Sequence, residues 1–530
     1  MAPSIERQLP EELLDMIISQ CNRDDLLTIC LTSKQLNRLA TPRLYSFITF
    51  GKYIWDQGEI DSSQLQLAHL LLTSPTHAAS VNSVFIAAAW APQIEYISGK
   101  DQKNRQRLWR RKLQPCLKNN LSRFYLSEKD ENDVLDKIQG GLNVDAIFAL
   151  LLLCLPNLNW VDINFGYEHD HKDFVCIFEL LAENVRLHSK ELLPQIDVMV
   201  KGEEEKIPNA PETLAVLFHM PNLRSISGYK MDDDEDGLEL IFSRLQPHSS
   251  PVKFIELRNS KLNANNLKKF MAATIPGKLT AFIYEIGCSW ACCSITHPGI
   301  MESLRAHHAS LQALGLSHEE FYPHQFDNEG EELFACDFKP FTALISLKVA
   351  PCYIWGHEGF TDETELENPA TKEMLWKTLP PNLEQLWICR AESQTERWSG
   401  IDDGKPHFEY DCLLPALHLV VEHKVNYPKL STIYIELAPL KWPKNAKFDN
   451  LASFSGLAIA DPHRYPPGER GWGWDEDVQW GQCVSNQEAR KIWLNAEPVS
   501  DLARRIRTLV KISVAAEKKR ARKERHSRRR

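Results

Sequence analysis

One short apolar pattern recurs through most of this 530-residue chain and restricts its fold more than any other feature. It reads apolar, two residues, apolar, one residue, apolar. Clear copies are Leu158-Val161-Ile163, Val252-Ile255-Leu257, Leu311-Leu314-Leu316, Leu344-Leu347-Val349, Leu383-Leu386-Ile388 and Leu430-Ile433-Ile435. Weaker copies are Val81-Val84-Ile86, Leu193-Ile196-Val198, Leu223-Ile226-Gly228, Leu279-Phe282-Tyr284 and Phe454-Leu457-Ile459. Positions one residue apart share a face of an extended strand, so the last two members of each copy point inward. The first member packs at the turn that leads into the strand. Several copies share a lead-in, as in Leu155-Pro156-Asn157-Leu158, Met220-Pro221-Asn222-Leu223 and Pro380-Pro381-Asn382-Leu383. One such unit cannot bury its apolar face, but a stack of them can. The expectation is an α/β solenoid in which a helix before each strand returns the chain.

The first fifty residues follow a different logic. Leu13, Leu14, Ile17 and Ile18 recur on one face of a helix. Leu9-Pro10 places proline at its start, and Glu11 and Glu12 fall in the first turn, where acidic groups suit the helix dipole. Asn22 or Asp24 can cap a second helix carrying Leu26, Leu27, Ile29, Cys30 and Leu31. Ser33 can cap a third, with Leu36 and Leu39, which Thr41-Pro42 is expected to end. Fifty residues bury only a modest fraction of their surface unaided, so the surplus apolar surface points to a docking module.

Residues 9 to about 48 resemble an F-box in the form common in fungal F-box proteins, and its pairing with the repeats resembles the fungal F-box/leucine-rich-repeat type. The resemblance lies in Leu9-Pro10-Glu11-Glu12-Leu13-Leu14, Asp25-Leu26-Leu27 and the close from Leu36 through Arg43-Leu44-Tyr45. It implies three helices that bind a Skp-type linker protein, and through it a cullin scaffold in a ubiquitin ligase. It also implies that Leu9, Pro10, Leu13, Ile17, Leu26, Leu27 and Cys30 contact the linker or support that contact. From Leu193 onward the repeats start 24 to 47 residues apart. The shorter intervals suit leucine-rich repeats of about 20–29 residues lengthened by insertions. In that family the strand surface or its rim holds the substrate.

The expected organisation is therefore an F-box over 1–50, an irregular leucine-rich-repeat-like body over 51–460, an aromatic-rich C-terminal cap over 461–498, and a helix with a basic tail over 499–530. Residues 518–530 hold nine Lys or Arg; with Glu517 and Glu524 the final fourteen residues carry +7, and the other 516 carry −17. An acidic body argues against a broad nucleic-acid surface. Lys518, Lys519, Arg520, Arg522, Lys523 and Arg525 read as a nuclear-import cluster, a solvated tail or a nucleic-acid contact. Tyr465, Trp472, Trp474, Trp480 and Trp493 read as a cap on the solenoid or as an aromatic recognition loop. Lys201–Lys206 and Asp232–Asp236 read as charged loops, with further insertions at Gly356–Asn368 and Ala391–Pro406.

No apolar run reaches the ~18–20 residues that span a bilayer, and Ala146–Leu155 reads as a buried helix. The N-terminus shows no signal-peptide pattern, and the thirteen scattered cysteines are expected to be reduced thiols in the cytoplasm or nucleus. Phosphate loops, dinucleotide fingerprints and nucleophile elbows are missing from the sequence. His169-Asp170-His171 reads as a polar loop, and Cys288, Cys292 and Cys293 as small buried residues rather than metal ligands. The expectation is a non-catalytic adaptor without cofactor or metal. An F-box protein acting outside a ligase, as a nuclear structural or chromatin-associated factor, is the second reading.

Overall fold

The computed structural model describes residues 9–50, 62–86, 107, 111, 113–141, 144–165, 172–188, 196–202, 211–220, 222–231, 245–287, 296–318, 335–356, 369–389, 413–435 and 458–460. The expected cap, tail and import cluster, the His169–His171 stretch, Leu193, the Cys288–Cys293 group and most of the insertions lie outside the described residues. The chain divides into two compact units, 1–279 with 286–295, and 280–285 with 296–530.

The first unit opens with helices α1 (Glu11–Ile18), α2 (Arg23–Cys30) and α3 (Lys34–Leu44). Strands β1 (Phe47–Phe50), β2 (Ser83–Ile86), β3 (Trp160–Phe165), β4 (Ile196–Gly202), β5 (Leu223–Tyr229) and β6 (Phe254–Ser260) follow. They lie side by side in chain order, every pair parallel. Helices between them include Ser62–Thr73, Val144–Cys154 and Lys172–His188. Residues 147–153 of the second are all buried, as the apolar run predicts. In the second unit β7 (Ala281–Ile286), β8 (Ala313–His318), β9 (Ser346–Val349), β10 (Gln385–Ile388), β11 (Thr432–Ile435) and β12 (Ala458–Ala460) repeat the arrangement, again in chain order. The pairs from β8 onward are parallel. Parallel strands in sequence order with intervening helices are the expected α/β solenoid architecture.

Every strand sits on a copy of the apolar pattern. In the copies at 158, 252, 279, 311, 344 and 383 all three members are completely buried. The first member closes a tight turn: Leu158, Leu223, Leu344, Leu383 and Leu430 each donate N–H to the carbonyl three residues back, at 3.0–3.4 Å. The residue just ahead of a strand then ties neighbouring repeats. Ser46 O accepts from Asn82 and Ser83, Asn82 O from Asn159 and Trp160, and Ile345 O from Glu384 and Gln385. The lead-in asparagine adds a second tie. Asn157 Nδ2 donates to Ala79 O at 2.6 Å, and Asn382 Nδ2 to Thr342 O at 2.8 Å.

Three local expectations are corrected. The first strand, β1, falls inside the segment assigned to the helical module, on the unremarked copy Tyr45-Ile48-Phe50. Helix α3 continues through Pro42 to Leu44 instead of ending at Thr41-Pro42. Proline lacks the N–H that would bond back to Arg38, but Arg38 is solvent-exposed, and Tyr45 N–H to Thr41 O at 3.1 Å completes the last turn. Lys201 and Gly202 belong to β4, paired with Asn164 and Phe165, so the charged loop begins after them. At the third position of the weak copy in β5, Gly228 leaves room for its neighbours: an added Cβ would lie 2.7 Å from Met231 Cγ. Among the described residues no helix is long and apolar enough to cross a membrane.

Candidate partner-binding site

The three N-terminal helices are built from local signals. Pro10 sets an extended φ of −55° ahead of α1, and its carbonyl accepts from Leu13 and Leu14 N–H. Asn22 Oδ1 caps α2 by accepting from Asp25 N–H at 2.9 Å, and Ser33 Oγ caps α3 by accepting from Leu36 N–H at 3.2 Å. Each such cap contributes about 1 kcal/mol to its helix. Ile18, Leu26 and Ala40 form the small core, with Cys21, Ile29, Cys30, Leu36, Leu39 and Leu44 packed around it.

Charged pairs clamp α3 onto α1. Arg43 meets Asp15 with two hydrogen bonds, at 3.2 and 2.8 Å, and Arg38 meets Glu11 at 2.6 Å. The helices then pass into the repeats without a spacer. Arg23 Nη1 donates to the Phe47 carbonyl of β1 at 3.2 Å. The Tyr45 ring meets His77 edge-on at 4.9 Å, and His77 Nδ1 shares a 2.7 Å hydrogen bond with Ser74 Oγ.

This packing sorts the residues singled out from sequence. Leu13, Ile17 and Leu27 face solvent at 45%, 54% and 48% exposure, and Pro10 is exposed. Leu9 is half-buried. Leu26 is buried in the core, and Cys30, half-buried, packs against it. Two outward residues were not singled out, Met16 at 64% and Leu31 at 89% exposure. The signal for both was in the spacing: Met16 lies three residues after Leu13, and Leu31 four after Leu27, which places each beside its partner on the helix surface. The result is two exposed apolar stripes, Leu13-Met16-Ile17 on α1 and Leu27-Leu31 at α2.

The remaining chemistry points to packing. Burial pushes the thiols of Cys154 and Cys336 up to about 12 and that of Cys352 well above the usual range. Desolvation disfavours the thiolate, the nucleophilic and metal-binding form. No cluster of His, Cys, Asp or Glu among the described residues is arranged to hold a metal ion.

Comparison with known proteins bears on the N-terminal helices. Residues 7–44 match the family model of the F-box domain. No curated protein matches the chain. Among solved structures, one described as "Crystal structure of Rad7 and Elc1 complex in yeast" is 12% identical, covering 85% of this chain and 92% of that one. Its TM-score of 0.29 is too low to bear on fold or function. The family match spans the three helices: residues 7–44 of this chain are an F-box domain.

Proposed function

We propose that this chain is the substrate-recognition adaptor of an SCF-type cullin ubiquitin ligase. The observation that carries the reading is the set of aliphatic side chains that the F-box leaves exposed: Leu13, Met16, Ile17, Leu27 and Leu31. Burying one such side chain against a partner contributes about 1.5–3 kcal/mol. A few anchors of this kind are enough to hold a Skp-type linker, and through it a cullin. The repeat body then holds a protein substrate. The adaptor breaks and forms no bonds. It raises the effective concentration of substrate beside the ubiquitin-carrying enzyme and restricts its orientation. The direct passage from α3 into β1, supported by Arg23 and Tyr45, suits that task, since a stiff connection keeps the bound substrate in place.

The test is binding of a purified Skp-type linker to three forms of the protein: the full chain, a chain lacking residues 8–48, and a Leu13→Asp/Ile17→Asp variant. Nanomolar binding by the first alone supports the adaptor role. Equal binding by the deletion form overturns it. The basic cluster Lys518, Lys519, Arg520, Arg522, Lys523 and Arg525 favours a second reading, an F-box protein working outside a ligase in the nucleus. Recovery of the linker without a cullin from nuclear extract, with no protein stabilised when the chain is removed, distinguishes the two.

A further inference from the structure

Exposed apolar side chains are concentrated at the start of the chain. Eight large ones stand out among the described residues, and six of them, Leu13, Met16, Ile17, Leu27, Leu31 and Phe47, fall in the first fifty positions. Five belong to the F-box. Phe47 lies beyond the family match of 7–44, at the start of β1. It is 50% exposed, while Ile48 and Phe50 on the same strand are buried.

The geometry of α2 joins Phe47 to the F-box surface. Arg23, Leu27 and Leu31 follow one another at four-residue spacing along one face, and all three are exposed. Arg23 Nη1 donates to the Phe47 carbonyl at 3.2 Å. The edge of β1 therefore lies on the side of α2 to which Leu27 points. Side chains on a helix lean toward its N-terminus, so Leu27 leans toward Arg23 and β1. The methylene stem of Arg23 spans the step between α2 and β1 and adds apolar surface there.

Among the described strands β1 pairs with β2 alone. Ser46 O bonds toward β2, where it accepts from Asn82 and Ser83. Alternation then turns the peptide groups of Phe47 and Thr49 to the other edge. Arg23 fills the Phe47 carbonyl, but an open strand edge beside an exposed ring is a surface that proteins cover. It is continuous with the F-box side chains assigned to the linker. We infer that the seat of the Skp-type linker extends past the F-box over the joint between α2 and β1, burying Phe47 and covering the edge of β1. The linker thereby caps the first repeat, as the end of a repeat array requires, and clamps the F-box to that repeat. The inference rests on the adaptor reading, whose contact surface it extends.

The test is hydrogen exchange on the full chain with and without purified linker, beside the affinity of two variants. Linker binding slows exchange across Phe47–Phe50 as well as in α1 and α2. Phe47→Ser weakens linker binding about tenfold and leaves the melting temperature unchanged. Val425→Ser, which removes an 84% exposed side chain far along the sequence, binds the linker as the native chain does. Unchanged exchange in β1, or native affinity in Phe47→Ser, overturns the inference. Protection of α1 and α2 without β1 leaves the adaptor reading standing, whereas protection of none of the three overturns both. A chain that dimerises without linker, and that Phe47→Ser returns to monomer, assigns the edge to a second copy and also overturns the inference.

Discussion

Arg43 near the end of α3 holds Asp15 on α1 through two hydrogen bonds from one guanidinium, across twenty-eight residues of chain. A paired geometry of this kind orients as well as attracts. Both groups are partly exposed, which limits the stabilisation to about 0.5–1 kcal/mol. Its larger effect is on the direction in which α1 presents Leu13, Met16 and Ile17. Arg43→Lys, which keeps the charge and loses the fork, is expected to weaken linker binding several-fold. The melting temperature should change little. Isothermal titration beside thermal unfolding checks this; a melting shift with unchanged affinity would refute it.

Leu26 and Leu27 are adjacent in sequence and opposite in role. Leu26→Ala opens a hole in the Ile18-Leu26-Ala40 core and is expected to destabilise the F-box by about 2–4 kcal/mol. Leu27→Ala removes an exposed side chain and should leave stability within about 0.5 kcal/mol. Linker affinity should nonetheless fall. Chemical denaturation and binding, measured on both variants, separate the two losses.

Asn157 and Asn382 occupy equivalent lead-in positions in different repeats and make equivalent bonds, to Ala79 O and Thr342 O. Each alanine replacement is expected to cost about 0.5–1.5 kcal/mol. Hydrogen exchange should rise locally, at the turn whose carbonyl loses its donor. Exchange that rises uniformly along the chain would contradict a repeat-to-repeat tie.

Gly228 and Met231 share one volume. Gly228→Ala is expected to destabilise by about 1–3 kcal/mol through overpacking. In a Met231→Ala background the cost should shrink, since the Cγ that a new Cβ would meet at 2.7 Å is gone. A double-mutant cycle reads the coupling, and additive losses would refute shared occupancy.

The buried thiols predict an alkaline limit. Cys154 and Cys336 are held at about 12 by desolvation, against about 9 in the unfolded chain. A raised folded value means that the unfolded state sheds its protons first. Stability is therefore full below about pH 9 and is lost as pH rises toward 12. Exposed Cys176 should react with a thiol reagent in the native protein, and buried Cys336, Cys352 and Cys389 only on unfolding. Labelling followed by peptide mapping checks the order.

The strands of this protein were legible in its sequence because burial on a parallel strand obeys a rigid alternation. Each copy of the pattern marks a turn and two inward positions, and the structure seats a strand on every one. The F-box helices were legible through their caps and their order of apolar residues. Orientation was a different matter. On α2 apolar residues ring the helix, so periodicity could not tell inward Leu26 from outward Leu27; only packing against Ile18 and Ala40 decides it. Alternation also places Glu256 and Arg258 on the open face of β6, yet both are buried and bonded to each other at 2.6 Å. A buried pair satisfies its own charge, so the strand tolerates cover on both faces. By itself the sequence determined the pieces and their periodic faces, which depend on residues close along the chain. The tertiary structure alone decided which surfaces stay open, because that depends on what distant segments bring to lie against them.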